Sequence, residues 1–139
     1  MNTTDVTVSA TILLTADDGS PLVVTIPNYG TDSSFRISIL PHRTVTIQTD
    51  GTGPLMSGAA TIDFNYFIGI SAIFSIYDEF GNLTAETGIG SSFWFSSFSI
   101  PVEASGGYTT GIAFFNPNSE PVSLSADLIE NNGTRRIRG

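Results

Sequence analysis

The sequence predicts an all-β fold, an antiparallel β-sandwich of about ten strands, and three observations carry that reading. Apolar residues recur with a period of two, enriched in β-branched types, which is the pattern of half-buried strands. No segment holds a sustained 3.6-residue apolar period. The runs are punctuated by turns that place an acid or Asn just ahead of Gly, as in "ADDGSP", "YDEFGN" and "IENNGT". Asx side chains brace such turns through their own backbone, and Gly takes the positive φ that tight hairpins need.

The elements follow in chain order. Val6, Val8, Ala10, Ile12 and Leu14 share one face of the first strand, with Thr7, Ser9 and Thr11 on the other. Further runs are expected over 22–26, 35–40, 43–49, 59–67 and 70–77. The series continues over 83–87, 93–102, 109–116 and 122–129, with a short last strand over 135–138. "LPHR" and "NPNSEP" use Pro to end one strand and begin another. The loosest connections, "TDGTGPLMSG" and "VEASGGY", are too short for a domain linker, so residues 1–139 read as one β-sandwich domain. The core is expected to draw on Val8, Ile12, Leu14, Ile37, Ile39, Val45, Ile47, Ile62 and Phe64. Its second half is expected from Ala72, Phe74, Ile76, Phe95, Ile112, Phe114, Leu124 and Leu128. Three stretches, near 6–26, 70–89 and 122–138, share one plan: strand, Asx-Gly turn, return strand.

Composition narrows the chemistry. Cys is absent, which removes disulfides, thiolate metal sites and Cys nucleophiles. Only 13% of residues are charged, against a globular norm of about 25%. A net charge of −8 disfavours nucleic acid and anionic lipid as partners. All five bases are Arg, so lysine Schiff bases and isopeptide staples are excluded. No apolar run approaches the roughly 20 residues of a membrane helix, and no membrane insertion is expected. The start, "MNTTDVTVSA", has neither the basic flank nor the apolar stretch of an export signal.

Each constellation that carries chemistry has a blander reading here. His42 is the single His, beside Pro41 and Arg43 at a turn, and no G-x-S-x-G elbow accompanies it. Most acids sit in turns. Of the mid-strand acids Asp63, Glu86 and Asp127, Asp63 alternates with Ile62 and Phe64 and is expected on the solvent side, so no acid pair for glycoside hydrolysis is legible. Asp17, Asp18, Asp78, Glu79 and Asn82 offer hard oxygen ligands suited to calcium, but hairpin-turn chemistry explains them without a metal. No enzyme activity and no cofactor are expected. The sequons at Asn2, Asn82 and Asn132 carry little weight.

The stretch "SSFWFSSFSI" bears on binding. Phe93 and Phe95 fall on one face of a strand, Trp94 and Phe98 on the other, so one face must pack under something else or mark an interface. Tyr108 adds an aromatic with a hydrogen-bonding tip.

Three stretches carry a resemblance: "LPHRTVTIQTDGTGPLMSGAA", "SAIFSIYDEFGNLTAETGIG" and "FSIPVEASGGYTTGIAFFNPNSEPVSLSADLIENNG". Over about residues 40–133 the chain resembles β-rich modules that occur in tandem or as single appendages in large secreted proteins of soil bacteria. It departs from their pattern at His42-Arg43, where a glycine turn is usual, and in the aromatic "DFNYFIGI". In those modules the "TGIAxxNP" strand opens a unit. The resemblance therefore implies a chain that starts one strand late and carries the replacement near its end. The module is either permuted and closed on itself or completed by terminal-strand exchange with a neighbour.

What the resemblance implies is a non-catalytic, extracellular or cell-surface bacterial module, self-associating into a fibre or assembly as a homo-oligomer or polymer. Its assembly strands would be those of Val6, Val8 and Ile12 and of Val122, Leu124 and Leu128. The alternative is a carbohydrate-binding or adhesive module that meets polysaccharide through Phe93, Trp94, Phe98 and Tyr108.

Overall fold

The computed structural model describes every residue except Ala104, Arg138 and Gly139, and the backbone alone of Arg136 and Ile137. It is all-β and antiparallel, without a helix among the described residues. The chain divides into two compact units, Met1–Phe98 and Ser99–Gly139.

In the first unit, β1 (Val8–Ala16) lies between β4 (Ser34–Ile39) and β5 (Gly58–Phe64), pairing antiparallel with both. β2 (Val24–Ile26) and β3 (Gly30–Asp32) form a short hairpin. The alternation read from the sequence sets the faces. Val8, Ala10, Ile12, Phe35, Ile37 and Ile39 are buried, together with Ile26 of β2. Leu14, Val24, Val45, Ile47, Ile62 and Ile68 pack against this cluster. Each such side chain stabilises the fold by roughly 1.5–3 kcal/mol when fully buried.

The ladder parity fixes which backbone groups remain outward. Leu14 N–H donates to Ser33 O at 2.8 Å, so even-numbered residues of β1 bond toward β4. Asn65 N–H donates to Ser9 O at 3.3 Å, so odd-numbered residues bond toward β5. By the same alternation, Ala60, Ile62 and Phe64 turn their backbone N–H and C=O groups to the outer edge of β5. On β4 the outward groups belong to Ser34, Arg36 and Ser38. Gly58 begins β5 because nothing larger fits: a Cβ there would lie 2.1 Å from Thr15 O.

The rest of this unit is a second hairpin. Among the described residues, β6 (Ser71–Tyr77) and β7 (Leu83–Gly90) pair only with each other, with a register shift at Ile76/Tyr77. The turn between them is braced as expected: Asp78 Oδ1 accepts from Phe80 N–H at 2.9 Å and from Asn82 N–H at 2.8 Å. In the second unit, β8 (Asp127–Ile129) pairs with β9 (Arg135–Ile137) across a turn where Glu130 N–H donates to Thr134 O at 2.9 Å.

Two expectations need correcting. The expected strands at 43–49, 93–102 and 109–116, and the first part of 122–129, form no ladder among the described residues. Over 43–49 the reason is visible: Val45 and Ile47 cover the core from an extended segment, so alternation is satisfied by burial without a pairing partner. Likewise Ala72, Phe74, Ile76, Phe95, Ile112, Phe114, Leu124 and Leu128, expected in the core, are exposed, and Phe64 is half-buried. A period of two assigns a side chain to a face but not a layer to cover it.

Candidate functional site

The residues singled out by the sequence fall into three sets. The first is the edge of β5 and the loop after it. Here the rings of Phe64 and Phe67 lie 6.3 Å apart, tilted at 53°. With Asn65 and Tyr66 they line a shallow open hollow of about 250 Å³. Asn65 is committed, since its Oδ1 accepts from Ser9 N–H at 2.9 Å. The aromatic excess of "DFNYFIGI" thus becomes a rim beside a free strand edge.

The second surface is the aromatic stretch. Phe93, Trp94, Phe98 and Tyr108 are all exposed, Trp94 to 69%. Phe95 is exposed too, so neither face of the expected strand lies in a core. Phe98 belongs to the first unit and Tyr108 to the second.

The third comprises the assembly residues. Val8 and Ile12 are buried in β1, whose two edges are both filled, and Val6 lies exposed ahead of it. Val122, Leu124 and Leu128 are exposed. Glu130 N–H bonds across to the Thr134 carbonyl just ahead of β9, so even-numbered residues of β8 face β9 and, among the described residues, the odd-numbered edge has no ladder.

The carboxylates weighed as metal ligands are engaged in turns. Asp18 Oδ1 accepts from Ser20 N–H at 2.9 Å and Ser20 Oγ–H at 2.6 Å. The Ser20 hydroxyl first, then its amide, hold the Asp18 carboxyl below the usual carboxylate range. Asn82 does the same for Asp78, its side chain contributing most. Asp17 accepts from the Ser57 hydroxyl, and Glu79 is exposed. Asp127 is paired with Arg135, whose hydrogen bond lowers the pKa of Asp127 and is matched by a raised pKa on Arg135. Among the described residues, no three His, Cys, Asp or Glu side chains gather as a metal site would require.

His42 sits at positive φ (54°), and its Nε2 is 2.9 Å from Asp5 Oδ1 on an exposed surface. Glu86 accepts from Ser75 Oγ–H at 2.9 Å across its own hairpin, and Asp63 lies exposed as expected. No helix among the described residues is long and apolar enough to cross a membrane.

One residue had no signal in the sequence beyond a sequon. Asn2 is fully buried, and its Nδ2 donates to Val6 O, Ile39 O and Leu40 O at 2.7–3.1 Å. Its Oδ1 accepts from Thr4 N–H and Oγ–H, while its own N–H donates to Arg43 O. Met1 and Gly69 exchange two further hydrogen bonds, at 2.7 and 3.0 Å. The N-terminal segment is thereby bound to the end of β4 and to the 65–69 loop. Partners 37 residues away are invisible to local pattern.

Comparison with family models, with curated proteins and with solved structures finds no match for the chain.

Proposed function

We propose that the chain is a non-catalytic structural module of a bacterial surface or extracellular assembly, completed by strand pairing with further copies of itself. In that reading the small sheets of one chain are joined by those of its neighbours into a β-sandwich of about ten strands. The observation that carries it is the contrast between one closed core and a long series of large apolar side chains exposed from Ile73 onward. A hairpin alone is marginally stable in water, and β6–β7 and β8–β9 are two such hairpins. Exposed apolar rows beside unpaired strand edges are the elements of β-sheet extension. A net charge of −8 opposes association at low salt, so assembly should rise with ionic strength.

Negative-stain microscopy at increasing salt tests the proposal. Filaments or ladders are expected, and a chain lacking residues 121–139 should not form them. Particles of single-chain size throughout would end this reading.

The exposure of Trp94 favours a second reading, a polysaccharide-binding module. It predicts a monomer retained on a glycan and released by Trp94→Ala. Equal retention of both proteins would retire it.

A further inference from the structure

The two outer edges of the three-stranded sheet differ in a way that selects one of them. The outward groups of β4 belong to Ser34, Arg36 and Ser38, and a charge in mid-edge is a common guard against pairing. The outward groups of β5 belong to Ala60, Ile62 and Phe64, whose side chains form the rim of the core face. A strand added to β5 therefore meets an apolar row on the core face and a polar row, Thr61 and Asp63, on the other.

The chain itself contains a segment with that pattern. Val122, Leu124 and Ala126 alternate with Ser123 and Ser125 directly upstream of β8, and these five residues form no ladder. We infer that residues 122–126 of a second copy of this chain add to the free edge of β5, parallel to it. In this arrangement Val122 stands beside Ala60, Leu124 beside Ile62 and Ala126 beside Phe64. The inference rests on the self-association proposed above and specifies its contact.

Orientation follows from ladder parity. Even-numbered residues of β8 bond toward β9, so along the same strand the odd-numbered residues turn to the opposite edge. In a parallel pair, a residue with outward groups bonds to the two neighbours of the residue it faces. Ala60, Ile62 and Phe64 then bond to odd-numbered residues, with β9 undisturbed on the far side. An antiparallel pair with the same apolar match would use the even-numbered edge and drive Gly58 and Ala59 into the place held by β9.

Register follows from charge and space. Sliding the added strand by two residues in the direction that brings Asp127 beside Asp63 is unfavourable, because like charges then stand side by side. In the register given, Ser125 faces Asp63, and Leu128 arrives at the hollow lined by Phe64, Tyr66 and Phe67. Among the described residues, neither the edge of β5 nor residues 122–126 find a ladder, and donor and acceptor on the same chain make the contact head-to-tail.

The chain has no Cys, so engineered thiols report the contact without background. Asp63→Cys and Ser125→Cys proteins, mixed and oxidised, should form a disulfide-linked heterodimer, because facing strands place their Cα atoms within disulfide range. The yield should exceed that of Asp63→Cys mixed with Ser123→Cys by about tenfold, since the second pair fits the antiparallel register or a parallel one displaced by two residues. Independently, Ser125→Asp should weaken self-association about two- to fivefold and Ser125→Arg should strengthen it by a similar factor. Self-association that persists while the 63/125 pair gives no link, or while the 63/123 pair links instead, overturns this contact and leaves the broader reading standing. A chain carrying both Asp63→Cys and Ser125→Cys that closes on itself as a monomer overturns the second copy as donor. A chain that never associates overturns both.

Discussion

Phe35 and Phe74 occupy equivalent places in equivalent patterns, yet Phe35 is 3% exposed and Phe74 56%. Each belongs to a strand in which apolar residues recur at every second position, Phe35, Ile37 and Ile39 in "SFRISI" of β4 and Ala72, Phe74 and Ile76 in "SAIFSIY" of β6. The difference lies in what faces them. β4 belongs to a sheet whose apolar side is covered by β2 and the 43–49 segment, whereas β6 has β7 beside it and, among the described residues, no second layer. Strand pairing and strand burial are thus separate events, and in this chain the second is complete for only part of the sequence.

The largest expected effect separates the two regions directly. Phe35→Ala should lower stability by about 3–5 kcal/mol, the usual cost of emptying an aromatic site in a core. Phe74→Ala should cost less than about 0.5 kcal/mol in the dilute, unassociated chain, as exposed substitutions do. Chemical denaturation of both variants checks this, and equal losses would show that β6 is buried after all.

A smaller effect is expected at Asn2. Asn2→Ala removes the donor that Ile39 O and Leu40 O share, and stranding buried acceptors costs about 1–3 kcal/mol. The loss should appear as faster amide exchange at the end of β4, with β6–β7 unaffected.

Glycines give the next test. Gly58→Ala should cost about 1–3 kcal/mol, because its Cβ would meet the Thr15 carbonyl and force β5 away from β1. Gly88→Ala in β7 meets open space and should be tolerated. Thermal melts of the pair make the comparison.

The smallest effect is electrostatic. Asp18, Asp78 and Asp127 have carboxyls lowered from their ordinary value of 3.8. A depressed carboxyl contributes stability that is fully present above the unfolded value and is lost as pH falls through the folded one. The turns at 17–20 and 78–82 and the β8–β9 hairpin should therefore loosen only below about pH 4, while the core sheet persists to lower pH. Amide chemical shifts followed between pH 6 and 2 would register it, and Asp78→Asn should remove the transition from the 78–82 turn.

The sequence made some of this legible and left the rest hidden for identifiable reasons. The strands around Ile12, Ile37 and Ile62, with their inward faces, are readable because β-branched alternation and burial coincide there. The Asx turns at Asp18, Asp78 and Asn132 are readable because their partners lie within four residues. The pairing of β1 with both β4 and β5 is not, since register depends on residues up to 54 positions apart, as in Ala10 and Phe64. Nor is the buried role of Asn2, or the aromatic rim at Phe64 and Phe67, which forms only where β5 ends against a loop. Over 93–102, 109–116 and 122–126 the same alternation predicts strands that carry no ladder among the described residues. A period of two marks strand propensity there without naming a pairing partner.

Whether those residues pair with further copies of the chain, as proposed above, is read from the mass of the protein in solution. Light scattering across a concentration and salt series should give a mass that climbs from the single-chain 14.7 kDa to multiples of it, more steeply at high salt. A mass fixed at 14.7 kDa at every concentration and salt would show that the chain does not self-associate.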